Sequence, residues 1–427
     1  MRIGIVGAGV TGLTAGYRLS QKGHRVVVFE KENYVGGLAA GFRLENWGWS
    51  LENFFHHLFV SDDATKNLLA ELGLSEKLFY RRPKTSIFFK GRISQFDSPL
   101  SVLRFPHLSL SQKLRTGLVT AYLKLKTPPR WCYARGTPRR WKLEEIPATT
   151  WLKKYYGQKP YKVLWQPLLR AKFGEYASGV SMVWFWARIK KRSAQLGYIE
   201  GGFQVLVDKL VEKIKENGGE IHLGQEINSF NHLNNQMRPD RAIFTTPLNS
   251  KEFKWVGALN LILILKEPFL TDGTYWLNIN DESFPFVAVV EHTNFIDKKH
   301  YGGNHILYIG GYYPQEHRYF KMSKEEVFEE FLPFLRRINP SFQQFVDSKN
   351  RRSADNLTIQ QSSVNLFAQP VIPTNYSKII PSFKTDNPKV FRANMQMVYP
   401  WDRGVNYAIE LGERVADESI RLFSGLQ

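Results

Sequence analysis

Apolar residues along this chain fall into short continuous runs and longer helical stripes, and their order predicts the elements. Ile3 to Val6 is an apolar run with the length of one buried strand. A helical pattern with Leu13, Ala15, Tyr17 and Leu19 follows, closed by Gly23, and Val26 to Phe29 is a second β-branched run that ends in Glu30. Ser61 to Leu74 reads as a capped helix, with Ser61, Asp62 and Asp63 at its start and Gly73 at its end. Ser86 to Phe96 reads as a hairpin turning at Lys90-Gly91. Ser98 to Lys126 is largely helical with a basic face of Arg104, Lys113, Arg115, Lys124 and Lys126, and Thr127 to Arg140 is a Pro- and Arg-rich loop. Ile146 to Trp165 predicts two helices, and Val205 to Asn217 one amphipathic helix stopped by Gly218-Gly219. Val256 to Tyr313 holds several strands with no helix between them, which predicts an antiparallel sheet. Ser323 to Ile338 is a helix opened by a capping box, Ser323 with Glu326. Gln360 to Pro381 reads as a Pro-rich connection. Val390 to Ala393 is a last strand, followed by a helix from Gly404 whose apolar positions include Val405, Ala408, Ile409, Gly412 and Val415.

The opening carries chemistry. Between the first strand and helix stand Gly7, Ala8, Gly9, Val10, Thr11 and Gly12, a G-x-G-x-x-G turn. Gly7 permits the tight turn, Gly9 lets a pyrophosphate reach the backbone, and Gly12 lets the helix pack close to the sheet. The helix N-terminus offers unpaired N–H groups and a partial positive charge to phosphates. Glu30, at the end of the second strand, stands where an acid accepts hydrogen bonds from a ribose. Three glycines interrupt the apolar run and no small-residue cleavage site follows it, so a secretory signal is not expected here.

Composition narrows the class. The 427 residues allow two or three domains, and a 43% hydrophobic content makes them globular. The single cysteine, Cys132, excludes an intrachain disulfide framework and a cysteine metal site, and fits a reducing, cytoplasmic location. No metal site, zinc pattern, Ser-His-Asp set or nucleic-acid motif is visible. The net charge of +19 asks for an anionic partner. Lys and Arg gather with Trp131, Tyr133 and Trp141 between residues 113 and 142. That mixture predicts peripheral attachment to an anionic membrane surface, on its inner face. Lys172, Arg170 and Arg188 are candidates to hold an anionic small-molecule substrate.

The Gly36-Gly37 pair shortly after Glu30, within KENYVGGLA, resembles the second glycine motif of the FAD-binding superfamily of flavin amine oxidases, protoporphyrinogen oxidases, phytoene desaturases and UDP-galactopyranose mutase. Tyr34 and Val35 stand where that superfamily often has a basic residue. Further likenesses are the loop Gly41 to Phe59, the segment Glu226-Ile227-Asn228, the strand RAIFTTP and the final strand, loop and helix. The resemblance implies an α/β fold: a Rossmann-type FAD-binding domain built from residues 1–80, 196–255 and 378–427. It is interleaved with an α+β substrate domain, containing an antiparallel sheet, from 81–195 and 256–377. It implies noncovalent FAD on Gly7, Ala8, Gly9, Thr11, Gly12, Glu30, Lys31, Gly36, Gly37, Leu38, Ile227, Thr245, Trp401, Gly404 and Val405. A reduced hairpin at Asn231 to Asp240 is expected between two strands of the cofactor lobe. His56, His57, Tyr399 and Trp401 are candidates for catalysis, the two adjacent histidines facing opposite ways. The implied chemistry is hydride transfer from a C–H or C–N bond to flavin N5, with oxygen or a quinone as the final acceptor. The alternatives are a non-redox flavin mutase or a non-catalytic FAD-binding protein.

Overall fold

The computed structural model describes residues 1–126, 142–342 and 356–421. The chain opens with β1 (Arg2–Val6), α1 (Val10–Gln21) and β2 (Arg25–Phe29), the order read from its apolar pattern. After a helix at Asp63–Glu71 come β3 (Lys84–Phe89) and β4 (Arg92–Gln95), whose turn places Lys90 and Gly91 at positive φ. Next are α2 (Pro99–Arg104) and α3 (Leu110–Leu125), each opened by a serine capping box, then helical segments up to α4 (Met182–Lys191). The chain continues through α5 (Gln204–Glu216), β5 (Glu220–His222), α6 (Phe230–Met237) and β6 (Arg241–Phe244). Then follow β7 (Trp255–Leu265), β8 (Thr274–Ile279), β9 (Ala288–Glu291), β10 (His305–Pro314) and α7 (Lys324–Ile338). The last elements are β11 (Leu357–Pro370), β12 (Val390–Arg392) and α8 (Val405–Arg421).

Two sheets organise these elements. The first has the order β5-β2-β1-β6-β12, and every pair in it is parallel. Its strands come from residues 2–29, 220–244 and 390–392. The order reverses beside β1, so the carboxyl ends of β1 and β6 flank the crevice where such sheets bind ligands. α1 packs under this sheet against α5 and α8. Gly16 faces Ile214 of α5, and an added Cβ at Gly412 of α8 would lie 2.6 Å from the Thr11 carbonyl oxygen. The second sheet has the order β11-β7-β10-β9-β8-β3-β4.

The strands of residues 256–313 pair antiparallel, as expected, and the sheet they form becomes mixed only where β8 pairs with β3 in parallel. Two expectations are corrected. The connection at 360–370 belongs to β11, a strand hydrogen-bonded along β7. Its solvent side leaves it without the continuous apolar run that marks β7. The reduced hairpin at 231–240 is helix α6: Ser229 caps it by accepting from His232, and Leu233 and Met237, one turn apart, bury against Gly4 of β1. Residues 127–141, the proposed Arg- and Trp-rich loop with Cys132, Trp131, Tyr133 and Trp141, lie outside the described residues.

Candidate functional site

The glycine turn is built to leave space at one atom. Gly7 leaves β1 at φ 104°, a region favourable only to glycine, and its N–H donates to the Phe29 carbonyl at 2.8 Å. A Cβ on Gly12 would lie 2.0 Å from the Gly7 carbonyl oxygen, so no side chain fits there. A Cβ on Gly9 would meet no protein atom within 4 Å. α1 starts at that point with no side-chain cap and no acid in its first turn. Its leading N–H groups and positive end therefore face the open space beside Gly9.

Several other predicted cofactor residues gather around this turn. The Glu30 carboxylate accepts from the Ala8 N–H at 2.7 Å and from the Glu32 N–H at 3.1 Å. Gly36, at φ 110°, donates its N–H to the Ala8 carbonyl at 2.8 Å, so the second glycine turn lies on the first. Leu38 follows, half-buried, in a tight turn over Gly37–Ala39. The 224–227 segment runs beside the acid: Gln225 donates to the Glu30 carbonyl at 2.8 Å, and Ile227 packs with Val6 and Phe29. The Thr245 hydroxyl donates to the Val6 carbonyl at 2.9 Å, which spends it on bracing the turn. Lys31 points away and pairs with Glu32 in solvent. A cradle of this kind, with a free helix N-terminus and an acid at the end of the second strand, fits a dinucleotide with two phosphates.

The second half of the site is a buried charge cluster before α8. Asp402 takes Arg188 at 2.8 Å, Lys172 at 3.2 Å and the Trp184 indole N–H at 3.1 Å. Arg403 donates to Gln369 at 2.9 Å and to the Tyr312 hydroxyl. Burial would raise the Asp402 carboxyl, but Lys172, Arg188 and Arg403 overcome it and hold the group well below the usual range. Burial pulls the Lys172 ammonium down. Arg192, just beyond α4, is open on one side yet strongly desolvated: burial, then Arg188, draws its guanidinium down to about 10. Its guanidinium has no ion pair or hydrogen bond among the described residues. Lys172, Arg188 and Arg403 thus surround one carboxylate, Asp402, and Arg192 stands beside Arg188 with Asp97 as its acid neighbour. Arg170, grouped with Lys172 and Arg188 by sequence, instead pairs with Glu282 on the surface.

His56 and His57 reach the same region by opposite routes, as adjacent residues on an extended segment do. The His56 Nδ1–H donates to the Phe54 carbonyl, and its ring lies 5.5 Å from Phe203. His57 packs on Phe59 and Trp276, and its Nδ1 has no hydrogen-bond partner. Burial lowers His56 to about 4 and His57 to about 3, with Arg192 adding to the effect on His57. Both rings are neutral at pH 7. Phe55, Trp276 and Tyr308 form an apolar wall beside them, edge to face at 4.7 Å and 5.9 Å. Trp401 packs between Trp186 and Tyr407, with the Lys191 ammonium 4.8 Å above its ring, and Tyr399 packs on Tyr376. Gly404 is exposed at the start of α8, and Val405 is buried. Glu52 of the same loop accepts from the Tyr198 hydroxyl and the Phe203 N–H, and burial raises it to about 7. Sequence reading missed Asp402, Arg403 and Arg192; the only signal was a D-R-G step directly before a strong helical stripe. Among the described residues, no three His, Cys, Asp or Glu side chains form a metal-ligand set.

Residues 10–420 match the family of flavin containing amine oxidoreductases. The chain belongs to this family. Its cofactor is FAD, and the family is one of flavin containing oxidoreductases. Over 89 residues it is 47% identical to a 4,4'-diapophytoene desaturase of Staphylococcus haemolyticus, a stretch that is 21% of this chain and only 17% of that relative. An oxidoreductase from Methanosarcina mazei superposes with a TM-score of 0.69 at 17% identity, over 98% of this chain and 100% of that one. Reduced UDP-galactopyranose mutase superposes at 0.67 with 14% identity, over 99% and 96%. At such identities the likeness speaks to fold, and the shared fold is that of the flavin amine oxidoreductases.

Proposed function

We propose that this protein oxidises a small molecule bearing an apolar body and an anionic group, by hydride transfer from a C–H or C–N bond. The carrying observation is the cluster in which Lys172, Arg188 and Arg403 surround a single carboxylate, Asp402, with Arg192 beside Arg188. The cofactor lobe would comprise residues 1–80, 196–255 and 378–427. The ribose would rest on Glu30, the pyrophosphate beside Gly9, and the flavin end near Trp401 to Val405 and Phe54 to His57. Bound FAD supplies a two-electron acceptor at N5. The chain's own residues do the rest. Arg192 and Arg188 hold the substrate anion, while Phe55, Trp276 and Tyr308 exclude water from its apolar part. Neutral His57, whose Nδ1 has no protein partner, offers a hydrogen bond to the donor, and the proton that leaves with the hydride passes to solvent, since burial and Arg192 hold the basicity of His57 low. The N-terminus of α8 sets positive partial charge near the reacting end.

The test is anaerobic. Purified protein is mixed with a panel of amines, isoprenoids and carboxylated or phosphorylated donors, and flavin bleaching is followed. Bleaching by an anionic donor, weakened at least tenfold in apparent affinity by Arg192→Gln, supports the reading. Bleaching only by uncharged donors removes the anion, and bleaching by none favours a binding protein.

A further inference from the structure

The helix α3 exposes apolar residues where a surface helix should expose polar ones. Seven of the fourteen exposed large apolar side chains among the described residues lie between residues 100 and 125. On α3 they are Leu110, Leu114, Leu118, Tyr122 and Leu125, with Leu118 73% and Leu125 79% exposed. Leu100 and Leu103 of α2 add to the patch. At about 100° per residue, Leu110, Leu118 and Leu125 fall within roughly 40° of Leu114. Lys113 and Lys124 then flank the stripe on one side and Arg115 and Lys126 on the other, each about 80–120° away. Thr116 and Leu123, on the far side, are buried in the protein. So the basic face expected from sequence is two basic edges around an apolar strip.

Charge selects what covers this strip. Between Asp97 and Glu144 the sequence has ten Lys and Arg residues and no acid. A second copy of the chain would bring like charge against like. A partner with an apolar interior and an anionic border satisfies both parts at once, and lysines and arginines beside a leucine strip reach such a border while their stems stay apolar. The patch also adjoins α4 and Arg192. Lys190 donates to the Lys124 carbonyl at 2.7 Å, the Trp186 indole donates to the Lys126 carbonyl at 3.1 Å, and Lys124 donates to the Arg192 carbonyl.

We propose that α2 and α3 lie flat on an anionic lipid bilayer, with the leucine strip in the acyl boundary and Lys113, Lys124, Arg115 and Lys126 at the headgroup phosphates. This attachment spans nothing: among the described residues no helix is long and apolar enough to cross a membrane. It places Arg192 and the end of α4 near the lipid surface, where a donor with an apolar body and an anionic head resides.

The test uses the full-length, FAD-loaded protein with vesicles of phosphatidylcholine alone or mixed with phosphatidylglycerol. Binding is expected to the mixed vesicles only, and to weaken as salt rises. Leu114→Ser with Leu118→Ser should lower partition roughly tenfold or more, as for losing two leucines from an apolar phase. Lys113→Gln with Lys126→Gln should lower it on mixed vesicles and leave weak binding insensitive to salt. Flavin content and unfolding temperature should stay those of the parent, because the leucines are exposed. Equal sedimentation with both vesicle types, or none with either, overturns the proposal. So does a dimer in light scattering that the leucine double variant dissociates, since a second copy then covers the strip. Vesicle binding is independent of turnover, so it stands or falls apart from the reaction proposed above.

Discussion

Glu30 accepts a hydrogen bond from the Ala8 N–H at 2.7 Å, across the crevice between the first two strands. The bond ties the acid to the turn that it would serve and aims its other oxygen along the Glu32 backbone. Glu30→Ala removes both this brace and charge-assisted bonds to a ribose, a loss of about 1.5–3 kcal/mol, or roughly ten- to a hundredfold in FAD affinity. Titration of the apoprotein with FAD measures it. Unchanged affinity would take Glu30 out of the site.

Asp402 is the one carboxylate among Lys172, Arg188 and Arg403. Asp402→Asn keeps its shape and leaves those cations buried without an anion. Removing one partner of such a cluster costs about 3–5 kcal/mol. Thermal unfolding should show a large loss, partly recovered when Lys172→Met is added, because the second change removes one unpaired charge. A double variant as unstable as the single one would contradict this account.

The cofactor end was legible in sequence because its rules are local. Gly7, Gly9, Gly12 and Glu30 lie within one strand-turn-helix-strand unit, and each glycine answers a constraint set by near neighbours. The charge cluster was not legible for the opposite reason. Lys172, Arg188, Gln369 and Asp402 meet only when the helix Gln166–Phe173, α4, β11 and the loop before α8 come together. Single basic residues carry no mark of such a meeting. β11 was hidden because its outer side is polar, and α6 because a short capped helix replaced a hairpin expected from the resemblance. The leucine strip of α3 has the spacing of a core-facing stripe, and only its exposure in the fold tells the two apart.

Glu291 accepts from the Phe269 and Leu270 N–H groups, yet its second oxygen has no hydrogen bond. Burial raises its carboxyl to about 8, against the ordinary 4.5. Between those values the folded protein holds a proton that the unfolded chain has released, so this group lowers stability as pH rises through that window. Glu291→Gln keeps the accepting oxygen and cannot ionise. Relative to the parent, it should be near neutral at pH 4.5 and more stable by on the order of a few kcal/mol above pH 8. Paired melts across pH check it. A difference that stays constant with pH would mean that Glu291 is charged in the fold.

Gly9 and Gly12 stand three residues apart in one motif, but a methyl group meets different surroundings at each. At Gly12 it would lie 2.0 Å from the Gly7 carbonyl oxygen, so Gly12→Ala must open the turn and push α1 from β1. Strain of that kind costs typically about 1–3 kcal/mol and shows in the apoprotein. At Gly9 the methyl meets nothing within 4 Å, and φ is −73°, which alanine adopts freely. Gly9→Ala should leave the apoprotein's unfolding temperature unchanged while lowering FAD affinity at least tenfold, since the methyl occupies the space before the N–H groups of α1. The pair of measurements separates fold from ligand. Full FAD affinity in Gly9→Ala, with an intact melt, would mean that the phosphates do not approach the turn at this glycine.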